Sequence, residues 1–310
     1  MKLATFQDGS ASPAVGAVEG DVIVDLSGHF PNMLALIDGG DAALELARKA
    51  AKRSAVKKKL SEVKLLSPVP EPRQIRDFNN FEQHIRDAPW GVAKLRARLA
   101  GLPEPDRAKA PGVGEITFKQ PIFYLSNRFN VVGHDAEVQW PGYSEWLDFE
   151  LEFGVFLGRK GKNIAKERAA EHIFGYAVFN DFSARDRQVR EMEGWMGPTK
   201  GKSFDTGNAI GPWIVTKDEI PDPQALAVSL RVNGEVWAKN TTAGMIHSFE
   251  DMISFVSQDE TLHPGEFFGS GTIGGCCGLE CDRWLKDGDV VEAEVERIGV
   301  LRNRVVRRKR

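Results

Sequence analysis

The segment LDFELEFGVFL, residues 147–157, reads as a β-strand with one apolar and one acidic face. Successive side chains of a strand point to opposite faces, so Phe149, Leu151, Phe153 and Val155 share one side while Asp148, Glu150 and Glu152 share the other. The apolar face needs a core. The acidic face needs either water or a neutralising charge, because carboxylates two residues apart on a strand sit roughly 6.5–7 Å from one another and repel when screened from solvent.

Other segments after residue 70 follow the same strand logic: PIFYL, IFGYAVFND, ALAVSLRVNGEVWA and DGDVVEAEVERIGVL, separated by turns and few long helices. Asn233-Gly234 suits a type I′ hairpin turn. Helical intervals are expected at 79–100, at 165–171 and after Ser248, where SFED has the form of a capping box. Residues 1–27 read as short strands around glycine turns, and 31–60 as one or two helices, which together make a small α/β lobe. SPVPEPRQ, with three prolines, sets a boundary near residue 70. The expectation is a small N-terminal domain over 1–70 and a mixed, β-rich α+β domain over 71–310.

A chain of 310 residues with 42% hydrophobic content can bury a sizeable core. A net charge of −3 supplies no overall field for nucleic acid, and the basic runs Lys52–Leu60 and Arg304–Arg310 read as solvated faces or ends. MKLATFQDGS has no apolar signal region and no 18-residue apolar run occurs, so a cytoplasmic protein with no membrane or nucleic-acid partner is expected. Cys276, Cys277 and Cys281 fit neither a disulfide framework nor an all-cysteine zinc site and read as reduced, structural thiols.

Further acids weigh against a merely wet acidic face. IFGYAVFND ends in Asp181, a carboxylate at a strand end, and RDFNNFEQHIRDA offers Asp77 with His84 seven residues on. Clustered carboxylates suit a hard divalent cation, which turns their repulsion into attraction. His84 has Asp87 three residues on along a helical face, so a carboxylate can keep its imidazole basic. Lys202 in PTKGKSFDTG is a candidate for polarising a carbonyl, and GSGTIGG, residues 269–275, lets backbone approach a ligand closely.

Taken together, these segments resemble the fumarylacetoacetate hydrolase family over about residues 70–300. DFELEF is similar to a family strand whose glutamates, here Glu150 and Glu152, are metal ligands, and GYAVFNDFSARDRQ to an element whose first aspartate, here Asp181, is the third. The resemblance adds Asp77 as a fourth carboxylate and makes His84 the catalytic histidine, oriented by Asp87 or by Glu280. It gives Lys202 the carbonyl-polarising role, and makes Arg185, Gln188, Tyr124 and Thr272 substrate-binding. The implied fold is a C-terminal β-roll domain behind a smaller N-terminal domain, commonly a homodimer.

The implied chemistry is carbon–carbon bond hydrolysis of a β-diketo acid or acylpyruvate, as in the catabolism of aromatic compounds. The cofactor would be a divalent cation, Mg²⁺ first with Mn²⁺ or Ca²⁺ as alternatives. In that reading His84 activates a water and the enolate leaves against the metal and Lys202. The same apparatus without water attack would decarboxylate or tautomerise a 2-oxo acid. Two other classes fit parts of the sequence: an iron oxygenase on His84, His134 and Glu137, and a non-catalytic small-molecule binding protein. The stretch 87–120 is expected to form a lid or pocket wall, and Trp90, Trp195 and Met196 to meet an apolar substrate tail.

Overall fold

In the computed structural model, which describes residues 1–54, 56–110 and 112–308, the chain is a mixed α+β protein dominated by two sheets. Among the described residues the larger sheet has 12 strands, and its central run is Lys2–Gln7, Asn208–Thr216, Ile173–Asp181, Leu151–Leu157, Phe267–Gly269, Ile75–Phe78 and Phe123–Ser126. The smaller has 5 strands, including Ala227–Val232, Glu235–Thr241, Val290–Val295 and Gly299–Val306.

The N-terminal strands join the larger sheet directly. Lys2 and Leu3 pair with Val215 and Ile214, so one sheet runs across the expected boundary near residue 70. Helices Met33–Asp38 and Gly40–Arg53 bury Met33, Leu36, Ile37, Ala47 and Ala51 in a core shared with Ile75, Phe156 and Phe267. Lys57–Lys59 is a strand rather than the end of a helix, and three lysines there keep a sheet edge soluble. Lys309 and Arg310, the end of the other basic run, lie outside the described residues.

Local signals act as their physics requires. Asn233 and Gly234 both have positive φ, 52° and 80°, as a two-residue I′ hairpin demands. Ser248 and Asp251 form a reciprocal capping box at the start of Phe249–Val256. The expected helix at 79–100 is Glu82–Ala100, ended by Gly101 in the left-handed conformation.

The acidic strand departs from the expectation in one respect. It breaks at Phe149 and Glu150 into Leu147–Asp148, which pairs with Ser183–Ala184, and Leu151–Leu157 inside the large sheet. The apolar half behaves as read: Phe149, Leu151, Phe153 and Val155 all lie in the main core.

Candidate functional site

Three strands carry the acids, with a fourth, Phe267–Gly269, between the one that bears Asp77 and the one that bears Glu152. Glu152 pairs with Phe179 on the strand that ends in Asp181, and Gly154 pairs with Gly269, which in turn pairs with Asp77. Gly269 makes the convergence feasible, since a Cβ there would lie 2.7 Å from Asp77 Oδ1 and 3.0 Å from the Phe179 ring.

Asp77, Glu152 and Asp181 each offer a carboxylate oxygen within 4.8 Å of the others. All three residues are buried. Asp77 Oδ1, Glu152 Oε2 and Asp181 Oδ1 have no hydrogen-bond partner, although a buried unpaired acceptor is costly. Three buried carboxylates this close, each with an orphaned oxygen, fit a hard divalent cation. Burial pushes Asp77 and Glu152 well above the ordinary carboxylate range, with Asp181 adding to the first and Asp77 to the second. Asp181 is raised by burial too, with Lys202 pulling against it.

Glu150 lines the same cavity, but both of its oxygens are held by cations: Oε1 by Arg185 Nη2 and Oε2 by Lys202 Nζ. Burial pushes Glu150 up, and these two cations outweigh it, so the group ends below its usual range. Lys202 also donates to the Asp181 carboxylate and, at 3.3 Å, to its carbonyl. Burial disfavours the ammonium, yet Asp181 and Glu150 hold it protonated. Its three protons are spent on two carboxylates and a backbone carbonyl, rather than left for a substrate carbonyl as expected from sequence.

Arg185 differs from its expected role more clearly. Nε donates to Asp148 at 2.7 Å, Nη2 to Glu150 and Nη1 to Gln188 Oε1 at 2.7 Å, and the residue is buried. It does not itself line the cavity, and touches it only through Gln188, whose side-chain oxygen it holds. Asp148, the third acid of the opening strand, is structural. Its oxygens accept from the backbone N–H of Gly278 at 2.6 Å and of Leu279 at 3.1 Å.

His84 lies beside this set, near the start of helix Glu82–Ala100. Its Nδ1 is 3.0 Å from Glu280 Oε2, while the other Glu280 oxygen accepts from the backbone N–H of Gly275 at 3.0 Å. Burial pushes the Glu280 carboxyl up, and the adjacent His84 outweighs that to leave it lowered. Gly91, two turns beyond His84 on the same face, permits the meeting: a Cβ there would lie 2.3 Å from the Leu279 carbonyl. Asp87, the partner suggested by helical spacing, turns instead to Arg107 at 3.1 Å and Arg86 at 3.3 Å.

A cavity of ≈ 300 Å³ joins these groups, lined by His84, Tyr124, Gln188, Lys202, Thr272 and the acids Asp77, Glu150 and Glu152, with Phe78, Ile122, Phe123 and Met192 as apolar walls; Asp181 lies behind Tyr124, whose hydroxyl it holds. Tyr124 Oη donates to Asp181 at 2.7 Å, and Thr272 Oγ1 to Glu152 at 3.4 Å. Within the 87–120 stretch no residue lines the cavity among those described, and Trp90 does not either. Trp195 and Met196 are 94% and 85% exposed, so the apolar wall comes from Met192, Gly197 and Pro198 of that segment instead. His134 sits against Asp135 and Arg302, and Glu137 is exposed on the smaller sheet, so these do not gather with His84 among the described residues.

Cys277, which the sequence presents as a structural thiol, stands at the site: its Sγ donates to Glu280 Oε2 at 3.1 Å and lies 4.0 Å from His84 Nδ1. Its spacing of three from Glu280 was the available signal. The apolar walls carried none, being indistinguishable from core residues in sequence.

Residues 74–306 match the family model described as fumarylacetoacetate (FAA) hydrolase C-terminal. Oxaloacetate tautomerase fahd2, mitochondrial, of Xenopus laevis is 32% identical over 99% of this chain and 90% of its own length. The structure of fumarylacetoacetate hydrolase from psychrophilic Exiguobacterium antarcticum aligns over 99% of this chain and 100% of that one, with a TM-score of 0.77 and 25% identity. That of 5-carboxymethyl-2-hydroxymuconate delta-isomerase from Mycobacterium smegmatis does so over 99% and 100%, with a TM-score of 0.72 and 26% identity. Among the described residues no helix is long and apolar enough to cross a membrane.

Proposed function

Because the chain belongs to the fumarylacetoacetate hydrolase family, we propose that it is a divalent-metal-dependent tautomerase of a small 2-oxo acid with a second carbonyl or carboxyl group, of the oxaloacetate class. The observation that carries this is the His84–Glu280 pair, whose histidine lines the same small cavity as Asp77 and Glu152, two of the three clustered carboxylates with orphaned oxygens. Asp77, Glu152 and Asp181, with Glu150 as a fourth acid, would hold the cation, which would supply positive charge to an enolising substrate. Mg²⁺ is the first choice, with Mn²⁺ or Ca²⁺ as alternatives, because the donor set is all oxygen.

The protein's own residues do the rest. His84 accepts the proton from the carbon between the two carbonyls, through the ring nitrogen not turned to Glu280. The Glu280 carboxylate balances the imidazolium, and the proton is returned at oxygen, so the carbon skeleton is unchanged. Gln188 and Thr272 hold substrate oxygens from opposite walls, and Tyr124 fixes Asp181. Lys202 and Arg185 act on the acids: they keep Glu150 ionised and offset part of the negative charge of five buried carboxylates. The relative named as an oxaloacetate tautomerase supports this reading over the alternatives.

Carbon–carbon hydrolysis of an acylpyruvate is the second reading. It is favoured by the same histidine–glutamate pair, which is equally suited to taking a proton from water, and by the likeness to a structure named as a fumarylacetoacetate hydrolase. Incubation with a model acylpyruvate and Mg²⁺, followed by product chromatography, separates the two. An unchanged carbon skeleton supports the tautomerase, and metal-dependent release of pyruvate and a carboxylic acid supports the hydrolase. The proposal also includes a homodimer in the cytoplasm with residues 71–310 as its catalytic part, tested by light scattering and cell fractionation.

A further inference from the structure

Cys277 is a buried thiol set against the base and its partner, and the three side chains offer one sulfur, one nitrogen and one oxygen. The separations are 3.0 Å between His84 Nδ1 and Glu280 Oε2, 3.1 Å between Cys277 Sγ and Glu280 Oε2, and 4.0 Å between Cys277 Sγ and His84 Nδ1. Zinc bonds of about 2.0–2.1 Å to nitrogen, 2.0–2.2 Å to oxygen and 2.3 Å to sulfur require, at tetrahedral angles, ligand separations of roughly 3.3–3.6 Å. Each observed separation is within about half an ångström of that range.

We propose that Cys277, His84 and Glu280 form a second metal site that takes a soft divalent cation, Zn²⁺ above all, and that its filling takes the base out of service. Thiolate and imidazole prefer zinc, whereas the neighbouring all-carboxylate set prefers a hard ion, so the two sites sort different metals. Glu280 is held ready by the Gly275 N–H on its other oxygen, as the partners of metal ligands commonly are. His84 lines the cavity, which provides the path of entry and a fourth coordination position. The balance is simple: the ion binds the neutral imidazole, the carboxylate and the thiolate, and the Cys277 proton passes to solvent. With Nδ1 metallated, the imidazole no longer shares a proton with Glu280 and loses its basicity.

Binding stands on geometry alone, while the inhibitory consequence rests on the assignment of His84 as the base. The test is to titrate the Mg²⁺-saturated protein with Co²⁺ and follow the near-ultraviolet thiolate-to-cobalt charge-transfer band, then displace it with Zn²⁺. One equivalent of Co²⁺ should raise the band in the wild type and in Asp181→Asn, which disables the carboxylate site, and Zn²⁺ should abolish it. Cys277→Ser and Cys277→Ala, each verified as folded by circular dichroism, should lack it. Absence of the band in the wild type, or its persistence in both Cys277 variants, overturns the site. One equivalent of Zn²⁺ should also lower turnover at least tenfold, and zinc binding with turnover unchanged would retain the site but refute His84 as the base.

Discussion

Nδ1 of His84 lies 3.0 Å from Oε2 of Glu280, although 196 residues separate them in the chain. The contact depends on helix Glu82–Ala100 meeting the short helix Gly278–Cys281 where Gly91 presents no side chain to Leu279, and on Gly278, whose Cβ would lie 2.3 Å from Asp148 Oδ1. The His84–Glu280 pair, Asp148 of the acidic strand and the helix packing are therefore one construction.

His84→Ala should lower turnover by about 10²–10⁴-fold, the usual contribution of a positioned base, while leaving Mg²⁺ affinity intact by calorimetry. Glu280→Gln keeps a hydrogen-bonding group but removes the charge, and its loss should be smaller. Equal loss of metal binding in His84→Ala would mean that the histidine belongs to the metal site.

Asp181→Asn and Glu152→Gln should each weaken Mg²⁺ binding at least tenfold, because each removes an oxygen that has no other partner. Glu150→Gln should also weaken it, and it leaves Arg185 and Lys202 short of a carboxylate, so thermal stability should fall as well. Unchanged calorimetric affinity in Asp181→Asn would remove it from the ligand set.

The buried acids give stability a pH dependence whose sign follows from their direction of shift. Burial first, then a neighbouring carboxylate, raises Asp77 and Glu152 in the metal-free fold. A group raised on folding contributes stability below its unfolded pKa, about 4 for a carboxylate, and loses it as pH rises through the folded value. Metal-free protein should thus lose stability with rising pH above about 4, and the increase in Tm on adding Mg²⁺ should grow from about pH 5 to about pH 8. A metal-induced shift that shrinks over that range would contradict the assignment.

Gly91→Ala tests the helix contact. Its methyl would meet the Leu279 carbonyl at 2.3 Å, so the helix must move. The expected cost is about 1–3 kcal/mol of stability in denaturant unfolding, with kcat falling more than metal affinity. A fully active, undestabilised variant would show that the two helices have slack.

Much of this architecture is legible in local sequence. The alternation through residues 149–155, the Asn233-Gly234 turn and the Ser248 cap depend on neighbours a few residues away, and they form as written. Of the four acids the motif reading gathers, Asp77, Glu152 and Asp181 converge, whereas Glu150 is held by Arg185 and Lys202. What local sequence does not carry is competition among charges. Asp148 satisfies backbone N–H groups 130 residues later, and Arg185 and Lys202 are consumed by acids rather than offered to a ligand. Helical spacing made Asp87 as good a partner for His84 as Glu280, and only the approach of the second helix and the two arginines beside Asp87 separates them. The continuity of the sheet past residue 70 was hidden for a similar reason, because the pairing of Leu3 with Ile214 is purely tertiary.

The most direct test follows the enol absorbance of oxaloacetate, above the spontaneous rate in the same buffer, for wild type and His84→Ala with Mg²⁺ and with chelator. Rapid enol loss in the wild type that requires Mg²⁺ and falls about 10²-fold or more in His84→Ala is the predicted result. No acceleration by metal-loaded wild type, or equal acceleration by His84→Ala, would contradict the account.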